Sequence, residues 1–176
     1  MIPSTGCDRL PYTEGMATAK RKGLLRPGER APEFRLPLLG GGESSLTDLI
    51  ASGPVLLAFF KVSCPVCQLT FPYLERIHAA GTLPVYGVSQ NGTAETRDFN
   101  RAFGVTFPTL LDPEGSFPAS NAFGLANVPT LFLVERDGAV AKVIDGWSKA
   151  DIQSLGAKAG ANPFRDGEYV PEWKAG

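Results

Sequence analysis

The chain has 176 residues, 43% of them apolar, enough for one globular domain that buries roughly two-thirds of its unfolded surface. Seventeen Lys and Arg stand against 18 Asp and Glu, so no net field draws in nucleic acid or an anionic membrane. The longest apolar stretch, Val55 to Phe60, is far too short to span a bilayer, and no N-terminal apolar run resembles an export signal, so a cytoplasmic protein is expected.

Residues 1–23 lack periodicity and read as an N-terminal arm, in which Cys7 is a free surface thiol and Lys20-Arg21-Lys22 a solvated basic cluster. Residues 24–160 read as one domain. Ala31 to Leu39 alternates and stops at Gly40-Gly41-Gly42, as a short strand whose prolines keep it at a sheet edge. Ser45 to Ile50 fits a single helical turn. Val55 to Phe60 is apolar on both faces and predicts a central strand covered on two sides.

Pro65 to Ala80 predicts a helix with Val66, Leu69, Phe71, Tyr73, Leu74 and Ile77 as its apolar positions, ended by Gly81. Pro72 inside it removes the bond to the Gln68 carbonyl, so a kink is expected. Leu83 to Ser89 is the next strand, followed by a helix from Thr93 to Phe103. An extended piece from Thr106 to Leu111 then reaches the turn Asp112-Pro113-Glu114-Gly115. After a short helix at Ser120 to Phe123, the strand Leu131 to Glu135 turns at Arg136-Asp137-Gly138 into Ala139 to Asp145, since Asp-Gly can adopt the positive φ such hairpins use. Ser148, with Asp151 three residues later, opens a last helix in the manner of a capping box. Residues 161–176 form a tail in which Phe164, Tyr169 and Trp173 follow no period. This order predicts an α/β fold, a central mixed sheet with helices on both faces.

The chemistry concentrates at Cys64 and Cys67, where the buried strand meets the long helix. Pro65 suits the first helical position, which makes Cys64 the N-cap and puts Cys67 one turn deeper on the same face. A helix N-terminus presents unpaired N–H groups and partial positive charge, so a thiolate is favoured there, and the thiolate is the nucleophile of disulfide exchange. Lys61 adds a cation nearby. The lone histidine, His78, lies about 21 Å along the helix axis at 1.5 Å per residue, too far to serve either cysteine, and reads as a helix-surface residue.

The strand Val55-Leu-Leu-Ala-Phe-Phe60, the motif Cys64-Pro-Val-Cys67, Pro72 within Phe71-Pro-Tyr-Leu74, and Phe123-Gly-Leu-Ala-Asn-Val-Pro129-Thr130 followed by Arg136-Asp-Gly138 and Gly146 occur in one order. In these residues, from about Leu24 to Gly160, the chain resembles the thioredoxin-like superfamily, in its thiol-disulfide oxidoreductase and AhpC/TSA (redoxin) branch. The resemblance implies a thioredoxin-like fold with Cys64 and Cys67 catalytic. It also implies that Pro129 is cis and faces Cys64, and that Pro65, Val128 and Pro129 bind substrate, the Val128 main chain pairing with an extended segment. Three positions depart from familiar relatives. Ser63 stands where tryptophan is common, Ala58 where thioredoxins bury an aspartate, and Thr70 where membrane-anchored relatives carry a glutamate.

The leading reading is a thiol-disulfide oxidoreductase that exchanges a Cys64-Cys67 dithiol with disulfide-containing or dithiol protein substrates and with a redox partner. No cofactor and no metal is expected. A peroxiredoxin-type peroxidase is the alternative, although Leu57 and Lys61 replace the proline and threonine that those enzymes set before the peroxidatic cysteine. A copper or zinc carrier is the third, and a closed zinc site would need ligands beyond the two thiols.

Overall fold

A computed structural model describes residues 23–176; Cys7 and the Lys20-Arg21-Lys22 cluster lie outside the described residues. The first elements are a hairpin of β1 (Arg35–Pro37) and β2 (Glu43–Ser45), joined through the glycine run. β1 falls within the alternating stretch Ala31 to Leu39, whereas β2, three residues long, carries no alternating pattern that would predict it. Beyond β1, the Leu39 N–H donates to the Thr109 carbonyl at 2.8 Å, which seats the hairpin against an edge of the main sheet. Ser45 then caps the one-turn helix α1 (Leu46–Ile50) in a true capping box with Asp48.

The central strand β3 (Val55–Phe60) is fully buried and is followed by α2 (Pro65–Ala79), β4 (Val85–Ser89), α3 (Thr93–Ala102) and β5 (Thr109–Leu111). Helix α4 spans Pro118–Ala122, two residues earlier than its sequence suggested. The cause is non-local: the buried Asp112 carboxylate accepts from the Ala119 and Ser120 N–H groups at 3.0 and 2.8 Å and so caps a helix that begins with proline. The strands β6 (Thr130–Val134) and β7 (Val140–Asp145) complete a five-stranded sheet in the order β5-β4-β3-β6-β7. β3 pairs parallel with β4 and antiparallel with β6, so the sheet is mixed. In the β6–β7 turn only Gly138 takes positive φ (+84°), while the Asp137 carboxylate accepts from the Ala139 N–H at 2.9 Å, so the glycine alone uses the left-handed region.

Side chains alternate along β3, and both faces are covered. Leu56, Ala58 and Phe60 pack beneath α2 and α5 (Lys149–Lys158), whereas Val55, Leu57 and Phe59 pack with Leu46, Phe123 and Phe132 on the side of α1 and α4. Phe71 anchors α2 to the sheet, its ring centroid 4.3 Å from Phe60 and 5.6 Å from Phe107. Helix α2 runs on through Pro72 to Ala79, and Gly81, two residues further, takes φ +81° and returns its N–H to the His78 carbonyl at 2.9 Å. His78 is half-buried instead of a surface residue. Its Nδ1 accepts from the Val85 N–H at 3.3 Å and its ring meets the edge of Phe107, so it ties α2 to the start of β4.

Helix α5 begins with half of the expected capping box. Ser148 Oγ accepts from the Asp151 N–H, but the Asp151 carboxylate turns to Lys142 Nζ at 2.6 Å. The residues after Gly160 pack across α2 and α5. Arg76 donates to both Glu168 carboxylate oxygens, at 2.8 and 3.1 Å, and Phe164 completes an aromatic group with Tyr73 and Trp147. Trp147 belongs to β8 (Trp147–Ser148), which pairs antiparallel with β9 (Trp173–Lys174) at the end of the chain. Arg76 holds the Glu168 carboxyl down at about 2, against its ordinary 4.5. Its contribution to stability is therefore complete above pH 4.5 and is lost as pH falls through about 2. In urea unfolding, Glu168→Gln is expected to be less stable than the parent at pH 7 and equal to it near pH 2; a difference that persists at pH 2 would place the effect elsewhere.

Candidate active site

The antiparallel register sets Phe59 opposite Thr130, so the residues just before β6 arrive beside the end of β3, where α2 begins. The Val128 carbonyl thereby comes within hydrogen-bonding distance of the Cys64 sulfur, 64 residues away along the chain. The Val128–Pro129 peptide is cis. Thr130 Oγ1 donates to the Asn127 carbonyl at 2.8 Å and the Gly146 N–H to the Pro129 carbonyl at 2.8 Å, which brace this turn from both sides.

Cys64 is the N-cap of α2, with extended backbone (φ −82°, ψ 116°), and Pro65 follows as the exposed first helical residue. The Cys64 sulfur accepts from the Cys67 N–H at 3.3 Å and donates to the Val128 carbonyl at 3.3 Å. Both cysteines are free thiols, Cys64 half-buried and Cys67 wholly buried. Burial pushes the Cys67 thiol well above the ordinary cysteine range; the Lys61 main chain offsets part of this and the neighbouring Cys64 thiol adds to it. One sulfur is therefore presented at the helix tip and the other is held protonated behind it.

Ala58 and Thr70 are both fully buried, and the Thr70 hydroxyl is spent on the Val66 carbonyl at 2.7 Å. Among the described residues, no carboxylate hydrogen-bonds either cysteine and no three His, Cys, Asp or Glu side chains converge as a metal site. Leu57 points into the layer opposite Cys67, so it borders neither sulfur. Lys61 is exposed, with its ammonium 5.8 Å from the Phe117 ring centroid.

Several contributors escaped the sequence reading. The Asn91 carboxamide accepts from the Val62 N–H at 3.0 Å and Gln68 Nε2 donates to the Val62 carbonyl at 2.9 Å, fixing the loop that delivers Cys64. In front of Cys64 lies an open cleft of about 290 Å³, bordered by Lys61, Gln90, Asn127, Val128 and Gly176. Gln90 and Asn91 follow β4 directly, and a strand end beside a Cys-x-x-Cys helix was the signal available for them. Gly176 had none.

The sequence profile of the AhpC/TSA family matches residues 27–143. The thiol-disulfide oxidoreductase ResA of Geobacillus thermodenitrificans is 33% identical over 154 residues, covering 82% of this chain and 84% of its own length. ResA of Bacillus subtilis is 30% identical over 142 residues, with coverages of 78% and 77%. Among solved structures, one assigned as the thiol:disulfide interchange protein DsbE of Chlorobium tepidum superposes with a TM-score of 0.66 at 29% identity, covering 76% of this chain and 95% of that one. The peroxidoxin BcpB of Mycobacterium tuberculosis, at 21% identity and a TM-score of 0.63 over 77% of this chain and 94% of its own, shares the fold.

Proposed function

For a chain that belongs to the AhpC/TSA family and is a thiol-disulfide oxidoreductase, we propose that Cys64 is the attacking sulfur and Cys67 the resolving one. The observation that carries this reading is the asymmetry of the pair: an exposed-side sulfur at the N-cap, within hydrogen-bonding reach of the Val128 carbonyl, and a wholly buried one behind it. The Cys64 thiolate attacks one sulfur of a substrate disulfide, the substrate S–S bond breaks, and its other sulfur leaves as a thiolate that takes up a proton. Cys67, once deprotonated, attacks the Cys64 sulfur of the mixed disulfide. The second substrate sulfur is released, a Cys64–Cys67 disulfide remains, and two electrons have passed to the substrate. Run backwards, the same atoms oxidise a substrate dithiol.

The substrates are proteins, and their reacting cysteine is read as lying in an extended segment that aligns along the Val128 main chain, with Pro65 and Pro129 as apolar contacts on either side. Among the described residues, none accepts a hydrogen bond from the Val128 N–H, which leaves that group to a docking strand. A redox partner protein would use the same surface to reset the pair.

In the reduced protein at pH 7, iodoacetamide is expected to label Cys64 at least about tenfold faster than Cys67, because each unit by which burial raises a thiol's pKa removes about nine-tenths of its thiolate. Peptide mapping separates both from Cys7. A Cys67→Ser variant is expected to retain substrate proteins on Cys64 as dithiothreitol-sensitive adducts. Equal labelling, together with adducts on position 67 in Cys64→Ser, would reverse the assignment.

A further inference from the structure

The final residues of the chain run toward the site. β9 pairs with β8 through Trp147↔Lys174 and Ser148↔Trp173, and the Lys149 N–H donates to the Glu172 carbonyl at 3.0 Å. From there the main chain crosses Gly146 closely: a Cβ at Gly146 would lie 2.5 Å from the Lys174 carbonyl oxygen and 2.7 Å from the Gly176 nitrogen. With φ +81° as well, Gly146 is a position that only glycine fits. The chain then reaches the turn before β6. A Cβ on Gly176 would stand 3.1 Å from Asn127 Cβ and 3.2 Å from the Val128 carbonyl oxygen.

Gly176 thus lies against the Val128 carbonyl at the edge of the Cys64 cleft. We infer that residues 172–176 form a displaceable strap over the place where a substrate strand docks, one that discriminates against protein disulfides while the open cleft still admits small ones. The inference rests on the functional reading above, which makes Val128 the docking main chain.

The anchoring of the tail supports displacement of this segment and not of the residues before it. Up to Pro171 the tail is held firmly: Val170 is buried, Glu168 is gripped by Arg76, and Trp147 Nε1 donates to the Pro171 carbonyl at 2.6 Å. Beyond Pro171 the holds are slight. Trp173 is 65% exposed, so it buries little apolar surface, and the Lys149–Glu172 ion pair is solvated, Glu172 being 82% exposed. The ladder itself is only two residues long, and its main-chain bonds run to β8, not to Val128. The boundary between firm and slight anchoring falls at Pro171–Glu172.

The test compares the full chain with a chain ending at Pro171, each reduced, against insulin as a protein disulfide and hydroxyethyl disulfide as a small one. A strap closed nine-tenths of the time lowers apparent docking about tenfold, so the ratio of the insulin rate to the hydroxyethyl disulfide rate is expected to rise about tenfold on truncation. An unchanged ratio, or a fall, would overturn the strap and make these residues part of the docking surface or bystanders. If the full chain reduces neither disulfide, the functional reading itself fails. A second measurement needs no truncation: in full-length Cys67→Ser carrying insulin on Cys64, the Lys149 amide is expected to lose its protection from hydrogen exchange. Retained protection there would also overturn the strap.

Discussion

Resolution of the mixed disulfide on Cys64 is expected to accelerate about tenfold for each pH unit between about pH 6 and 9, a range of about a thousandfold. The attacking species is the Cys67 thiolate. Burial is the largest cause of the upward displacement of the Cys67 thiol, and it comes from the sheet and helices packed over Cys67. Below its titration midpoint the thiolate fraction rises in proportion to the fall in proton activity, so the rate follows pH with a slope of about one in logarithms. A carboxylate within reach would flatten this slope by taking the proton in advance, but Ala58 and Thr70 occupy both familiar positions.

The measurement is rapid acid quench of a preformed mixed disulfide across that pH range. Thr70→Glu places an acid one turn beyond Cys67 on the same helix face and is expected to lift the rate near pH 7 by ~10²–10⁴-fold and to flatten the profile. Because Thr70 is wholly buried and its hydroxyl is bonded to the Val66 carbonyl, the larger side chain is also expected to cost about 1–3 kcal/mol of stability. A wild-type rate that is flat from pH 6 upward, and indifferent to the substitution, would show that another group already accepts the proton.

Trp147→Ala is expected to destabilise the protein by about 3–5 kcal/mol, a large part of the 5–15 kcal/mol that holds an ordinary domain together. The indole is fully buried, packs against Tyr73 with centroids 5.0 Å apart and the rings tilted by 50°, and donates Nε1–H to the Pro171 carbonyl at 2.6 Å. Removing it opens a cavity between α2, α5 and the tail, and strips the tail of its last firm hydrogen bond. Trp147→Phe retains most of the packing and loses the donor, so it is expected to cost about 1–2 kcal/mol. The urea midpoints of the two variants separate the contributions. A loss below about 1 kcal/mol for the alanine variant would mean that the tail does not fold as one unit with the sheet.

Read from residues alone, the local part of the site is legible. Pro65 at the first helical position, Gly81 at the helix end and the three-residue cysteine spacing all act within one or two turns of the chain, where sterics and main-chain bonding depend only on neighbours. The family, the α/β order and the mixed sheet also follow from the order of motifs along the chain. The partners brought to Cys64 are another matter. Val128 and Pro129 reach it because β6 pairs with β3 in one register, Gln90 and Asn91 because β4 pairs on the other side, and Gly176 because a two-residue strand meets β8. β3, β4 and β6 are legible as strands, but which of them pair, and in what register, is chosen by contacts distant in sequence, while β8 and β9, at two residues each, are too short to alternate. The same holds for Cys67. Its position one turn behind Cys64 is a property of the helix, but its burial, and with it the raised pKa of its thiol, was decided by the sheet and helices that close over it.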